Sequence, residues 1–309
     1  MGHKQKGANP YQKGANWFIL AGHAGIAEIM LNRAPRLSPL NRLGLVAALV
    51  FAIFPVLWLL SKSFMPWVEY SANPAIWVTS NPTLDNYHDV FFDYVNLIGW
   101  PQSSSWRAMV SSTIISVAAT FFSVAIGLLA AFAIARYRVG GNFMALQILS
   151  FRMVPPIAVA VPFAIIATNI GATFTPVLLT LVYIAYTVPL STWMLKSFID
   201  QCPREFEEAA MMDGMSRWQA HFRVTLPLVR GGLAATVLFI FILNWSEGAI
   251  ALALAAGRYV TIPVQIADKV ASPHVQVALA VLAAVPLLVL GFAIQRHLSR
   301  GFTFGAIKQ

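Results

Sequence analysis

Glu205-Phe206-Glu207-Glu208-Ala209-Ala210-Met211-Met212-Asp213-Gly214, continued by Met215-Ser216-Arg217-Trp218 and later by Leu226-Pro227, is the one long charged island in the second half of this chain. Four acids and four arginines lie between Cys202 and Arg230. Apolar runs over about 175–195 and 232–252 flank it, each near the ~20 residues a helix needs to cross the hydrocarbon core of a bilayer. A charged segment between two spans stays in water, so the island is an aqueous loop open to a partner.

Working outward, further apolar runs occur over about 43–60, 109–134, 143–170 and 277–294. With 58% hydrophobic and 11% charged residues, the 309-residue chain departs from soluble domains, which carry about 25% charged residues. Lipid offers the backbone no hydrogen bonds, so spans of this length are helices. The expected fold is all-α: a polytopic membrane protein with six transmembrane helices and both termini on one side. Cys202 is the only cysteine, which excludes an intramolecular disulfide. The net charge of +9 reads as topology-setting basic residues around spans rather than a nucleic-acid surface.

The positive-inside rule orients the bundle. With the N-terminus in the cytoplasm, the N-terminal tail, the Arg136/Arg138 turn, the island and the C-terminal tail hold 16 of the 21 Lys and Arg residues. The outer loop over 65–105 holds none. That loop is acidic and aromatic, and Asn81-Pro82-Thr83 marks the start of a short interfacial helix to Tyr94. Lys62 closes the first span and is expected to snorkel to the interface. Before that span, the apolar patch over 17–31 is broken by His23 and Glu28 and followed by Arg33 and Arg36. It reads as an amphipathic helix on the membrane surface rather than a signal peptide.

Prolines punctuate the spans. Pro155-Pro156 and Pro162 kink or break the third, beside Arg152. Pro189 lies in the fourth and Pro286 in the sixth, and residues 261–270 read as a short helix or re-entrant segment. Asn244, Trp245 and Glu247 fall near the outer end of the fifth. Arg152 reads as snorkelling or as capping carbonyls freed by the proline pair. Asn244, Trp245 and Glu247 read as an interfacial belt with an exposed acid. The functional alternative sets all four on a solute path, where an aromatic face stacks on a sugar ring and the amide and carboxylate bond its hydroxyls. Arg152 and Glu247 differ in expected depth, so no simple ion pair between them is expected.

Several chemistries lack their parts. There is no G-x-x-x-x-G-K-[ST] phosphate loop, no G-x-S-x-G elbow, and no His or Cys pair at metal-ligand spacing. No catalytic residue and no metal site are expected. Transport remains, driven either by a partner ATPase or by an ion gradient; a cation-coupled secondary carrier of a small solute is the alternative, and a membrane scaffold is a third reading.

Within the island, Pro203 can open a short helix with Glu205, Glu207 and Glu208 in its first turns and Gly214 at its end. Phe206, Ala209, Ala210 and Asp213 then share one face. Glu208-Ala209-Ala210, Gly214 four residues on, and Leu226-Pro227 resemble the E-A-A-x-x-x-G…L-P coupling motif of bacterial ABC importer permeases. Asn81-Pro82-Thr83-Leu84-Asp85-Asn86-Tyr87, Arg152-Met153-Val154-Pro155-Pro156, Asn244-Trp245-Ser246-Glu247 and Arg300-Gly301-Phe302-Thr303-Phe304-Gly305-Ala306-Ile307-Lys308 are similar to stretches of the maltose-type carbohydrate uptake subfamily.

The resemblance runs from about Leu43 to the C-terminus. It implies a type I ABC importer permease fold in a bacterial inner membrane, surrounded by lipid, with both termini cytoplasmic. The segments are a tail over 1–40, a first helix and outer loop over 41–105, a permease core over 106–298 with its coupling loop at about 201–228, and a C-terminal tail over 299–309. It implies a second homologous permease as heterodimer partner, a cytoplasmic ATPase dimer that carries the ATP and magnesium, and an external solute-binding protein. No cofactor is expected on this chain and no nucleic acid. The implied coupling residues are Glu208, Ala209, Ala210, Asp213, Gly214, Leu226 and Pro227. The outer loop would meet the binding protein, and the C-terminal tail would reach the ATPases. The implied cargo is a sugar or sugar derivative.

Overall fold

The computed structural model of the chain describes residues 38–92, 94–95, 103–141, 143–169, 171, 175–255, 261–267 and 273–303. The surface helix expected over 17–31 and the end of the C-terminal tail lie outside the described residues. Two compact units divide at Leu57. The described part of the first is residues 38–57, which open helix α1 (Pro39–Ser63) and are exposed throughout, as a lipid-facing span would be.

The second unit continues from the end of α1 through α2 (Trp67–Tyr70), α3 (Asp85–Phe92) and a two-residue antiparallel pair, Tyr94–Val95 with Ser103–Ser104. α4 (Ser105–Tyr137) leads to α5 (Met144–Ser150), a 3-10 turn over Phe151–Met153, α6 (Pro156–Asn169) and α7 (Pro176–Asp200). The island forms α8 (Glu205–Met212), α9 (Arg217–Ala220), a π turn over His221–Thr225 and α10 (Leu226–Leu228). α11 (Arg230–Trp245), α12 (Ala249–Ala255), α13 (Ile262–Ala267) and α14 (Pro273–Thr303) complete it.

Among the described residues, α1, α4, α7 and Pro273–Ala293 of α14 are long and apolar enough to cross a membrane. The number is six if each of two bent pairs counts as one span. The first pair is the expected third span, bent by 80° at the Pro155-Pro156 break, where a ring nitrogen has no proton to continue the helix. The second joins Arg217–Leu228 to Arg230–Trp245 with a 78° bend.

The fifth span differs from the sequence reading: α11 stops at Trp245 rather than near Leu252. Residues 246–248 break the chain, and α12 leaves as a separate helix whose Ile250, Ala251 and Leu254 enter a core with Ala160, Leu179, Val182 and Tyr183. Gly248 sits at the break in close quarters: an added Cβ would lie 3.2 Å from Pro263 Cβ.

Small and hydroxyl residues join the long helices, as lipid-embedded packing favours. Ser123 Oγ and Thr187 Oγ1 share a 2.7 Å hydrogen bond, and Ser191 Oγ donates to the Ser123 carbonyl at 2.7 Å, which binds α4 to α7. Gly127 makes that approach possible, since a Cβ there would stand 2.1 Å from Ser191 Oγ.

At the far end of the bundle the outer loop is clamped to the end of α1. Asn86 Nδ2 donates to the Ser63 and Met65 carbonyls at 2.9 Å each, and Tyr87 Oη shares a 2.7 Å bond with Ser63 Oγ. The Asn-Tyr pair of the outer motif thus fixes the loop to the span. Lys62 is also corrected: it does not snorkel but is 7% exposed, with Nζ donating to the Ile76 carbonyl at 2.6 Å. The folded loop brings an acceptor to the ammonium, so it need not reach for water.

Candidate coupling and solute-path sites

The island helix is delimited by its own backbone chemistry. Glu205, Glu207 and Glu208 occupy the first turn of α8, where the helix dipole favours anions. At the other end Gly214 has φ +89°, Met215 N donates to the Ala210 carbonyl and Gly214 N to the Met211 carbonyl. These two bonds form a Schellman motif, whose left-handed position suits glycine. Ser216 and Gln219 then exchange side-chain and backbone bonds as a capping box that starts α9.

The inner face of α8 is held by α4. Arg136 Nε donates to Glu207 Oε1 at 2.8 Å, and Thr225 Oγ1 donates to the same oxygen. Arg136 Nη2 reaches the Cys202 carbonyl at 3.1 Å, and Arg204 Nη2 reaches the Ala135 carbonyl at 2.8 Å. The His221 imidazole is fully buried with its ring centre 3.6 Å from that of Phe132, and among the described residues neither nitrogen has a polar partner. Beside this joint lies a cleft of 260 Å³ bordered by Arg136, Arg204, Glu207, Glu208, Met211 and Arg217.

Of the residues expected to face a partner, Glu208, Ala209, Asp213 and Gly214 are exposed, as are Phe206 and Met212. Ala210 is not: it lies buried with Glu207 on the inner face, because at position i+3 from Glu207 it follows that residue toward α4. Leu226 is half-buried against a core containing Leu195, Ile199 and Val229, whereas Pro227 is exposed. Glu207, Arg136 and Thr225 were not singled out in the sequence. Arg136 reads there as a topological charge and Glu207 as one more acid of a first turn, although the Glu207/Ala210 spacing marks the inner face.

The solute-path candidates separate into two groups. Asn244 is buried and its Nδ2 donates to Thr120 Oγ1 of α4 at 3.1 Å. Trp245 is buried, not interfacial, and its Nε1 donates to the Ala283 carbonyl of α14 at 3.0 Å. Both tie α11 to its neighbours. Arg152 and Glu247 are half-buried and come to one face of α7 instead. The Arg152 guanidinium lies 3.7 Å from the centre of the Tyr186 ring, a cation–π contact, and among the described residues it makes no hydrogen bond to the carbonyls at the proline break. Tyr183 Oη donates to the Glu247 backbone carbonyl at 2.8 Å, and Glu247 Oε1 accepts from Ile250 N at 3.0 Å, capping α12. The sequence signal for this pair of tyrosines is their i, i+3 spacing on an apolar helix. Among the described residues no three His, Cys, Asp or Glu side chains gather as a metal ion would need.

The family of binding-protein-dependent transport system inner membrane components matches residues 123–304, which includes the island, the helices that hold it and the solute-path candidates. This chain belongs to that family. It is an ABC importer permease subunit, multi-pass in the membrane, from a family of transport subunits rather than catalysts. The permease is 32% identical over 266 residues to a trehalose transport system permease protein of Mycobacterium tuberculosis, covering 84% of this chain and 93% of the relative. It is 30% identical over 274 residues to a trehalose/maltose transport system permease protein of Thermococcus litoralis, covering 86% and 95%. A chain of a bacterial ABC transporter involved in alginate import matches with a TM-score of 0.62 over 85% of this chain and 99% of that one; at 17% identity the likeness is one of fold.

Proposed function

We propose that the permease is one half of a heterodimeric pore that moves a sugar or sugar derivative, delivered by an external solute-binding protein and driven by two cytoplasmic ATPases that bind ATP and magnesium. One observation carries the reading: the island is bound to its own bundle through Glu207, Thr225 and Ala210, while Phe206, Glu208, Ala209, Met212, Asp213 and Gly214 on the other side are exposed and make no side-chain hydrogen bond or ion pair among the described residues. A short helix with an apolar and acidic outer face, rigidly joined to a long span, is the shape of a lever. Its outer face suits a groove on another protein, and motion of that groove passes through Arg136 into α4. Leu226 anchors the far end of the segment and Pro227 lies at the docking side.

The excess of Lys and Arg on the island side supports a cytoplasmic location for both the island and the termini. The names of the two relatives support a sugar as cargo. Within the bundle, Arg152 and Glu247 border the solute path, and Asn244 and Trp245 hold the end of α11, just before Glu247. The test is purification of the tagged permease from its host membrane followed by an ATPase assay. The expected result is co-purification of a sister permease and an ATPase whose hydrolysis is stimulated by the solute-loaded binding protein, with vanadate blocking uptake. A chain that purifies alone and moves solute under an ion gradient without ATP would be a secondary carrier.

A further inference from the structure

Two opposite charges among the apolar helices stand beside tyrosines one turn apart on α7, Arg152 at Tyr186 and Glu247 at Tyr183, and neither makes an ion pair among the described residues. Arg152 makes no hydrogen bond or ion pair among the described residues, and its Nη1 is buried without a partner. Glu247 uses Oε1 to cap α12 and makes no ion pair there. The ring face of Tyr186 is covered by the Arg152 guanidinium, 3.7 Å from its centre. Tyr183, one turn earlier, holds the Glu247 backbone in place. Ionisable groups within a membrane bundle are costly and are kept for a purpose, most often for a path.

Here the free groups are complementary in kind as well as in charge. Arg152 offers N–H donors in a planar fork and accepts nothing; Glu247 offers a carboxylate oxygen and donates nothing. A hydroxyl does both, so a ring with neighbouring hydroxyls can accept from Arg152 and donate to Glu247. The two charges sum to zero. A phosphate, sulfonate or carboxylate group would gain from Arg152 but meet repulsion from Glu247.

We propose that Arg152, oriented by Tyr186, and Glu247, oriented by Tyr183, form a zero-net-charge subsite for a neutral polyhydroxylated solute. The subsite discriminates against anionic sugar derivatives. This rests on the sugar-importer reading and narrows its substrate class.

The test uses the full transporter complex in lipid nanodiscs without nucleotide, titrated calorimetrically with neutral probes (trehalose, maltose, sorbitol) and anionic ones (glucose 6-phosphate, glucuronate, sulfoquinovose). At least one neutral probe binds the wild type and every anionic probe binds more weakly. Glu247→Gln, which keeps an oxygen for the Ile250 cap, and Arg152→Gln each weaken the bound neutral probe about tenfold or more, as loss of a hydrogen bond to a charged group does. Glu247→Gln also narrows the gap between neutral and anionic probes. Preference of the wild type for an anionic probe, absence of binding by every neutral probe, or unchanged affinity in both variants would overturn the proposal. Co-purification with the ATPase shows that each variant is assembled. Vanadate-sensitive sugar uptake by the same complex reads the broader function separately, so its persistence alongside a failed titration leaves that function standing and removes only the subsite.

Discussion

Arg136 Nε and Glu207 Oε1 stand 2.8 Å apart with side chains 6% and 11% exposed, and they join the last turn of α4 to the inner face of the island helix. Removing either partner leaves a buried charge, which typically costs about 3–5 kcal/mol, whereas replacing both by apolar residues of similar volume costs far less. Arg136→Met and Glu207→Met should each lower the melting temperature of the purified permease and open 201–228 to protease. The double variant should recover much of the loss. Equal destabilisation by single and double variants would deny the pair its role.

The backbone at Gly214 gives a second prediction. Its φ of +89° is left-handed, and an added Cβ would meet nothing within 4 Å. Gly214→Ala therefore tests conformation without steric clash, with a cost of about 1–2 kcal/mol. Gly214→Asn should cost less. ATP-driven uptake should follow the order Gly, Asn, Ala, and Gly214→Asp or Glu208→Lys should release the ATPase while the permease stays inserted. Uptake equal in all these variants would remove the helix end from the coupling path.

Close packing of α4 on α7 rests on Gly127. A Cβ placed there would lie 2.1 Å from Ser191 Oγ, and the hydroxyl must abandon its bond to Ser123 to make room. Gly127→Ala is expected to destabilise the bundle by about 1–3 kcal/mol, the usual cost of overpacking. Gly291, with nothing within 4 Å of its added Cβ, is the control, and Gly291→Ala should leave the melting temperature unchanged or raised.

Outer-loop stability should fall in acid. Glu69 accepts hydrogen bonds from Thr79, Ser80 and Asn81, and these, the Ser80 hydroxyl foremost, hold its carboxyl below the ordinary value of 4.5. A carboxyl lowered on folding adds stability that is fully present above 4.5 and is lost as pH falls through its folded value. Hydrogen exchange of residues 69–81 should rise as pH is lowered past 4.5, after correction for intrinsic exchange. Glu69→Gln should flatten that dependence; an equal acid response in the variant would place the cause elsewhere.

The spans, the proline break and the island helix were legible because each is written locally, in apolar length, in Pro155-Pro156 and in Gly214. What could not be read are contacts between distant residues. The island sequence does not show that Ala210 turns inward with Glu207, because the partner of Glu207 is Arg136, 71 positions upstream. Lys62 looked like an interfacial anchor until the loop returned the Ile76 carbonyl to it. Asn244 and Trp245 read as an interfacial belt or as path residues, and nothing local in the sequence shows that Thr120 and the Ala283 carbonyl accept their hydrogen bonds. Arg152 and Glu247 differ in expected depth, and the break after Trp245, which ends α11 early, brings Glu247 to Tyr183, one turn from the Tyr186 that Arg152 covers.

The most direct measurement is site-specific cross-linking of the island to the ATPase in the assembled, transport-competent complex. With Cys202 replaced by serine, single cysteines would be placed at Met212, which is 88% exposed, at Ala209, and at the buried Ala210. The account predicts that Met212→Cys and Ala209→Cys form cross-links to the ATPase chain that change in yield when vanadate traps the complex, while Ala210→Cys forms none. Absence of any cross-link from Met212→Cys and Ala209→Cys in a complex that still transports would contradict it.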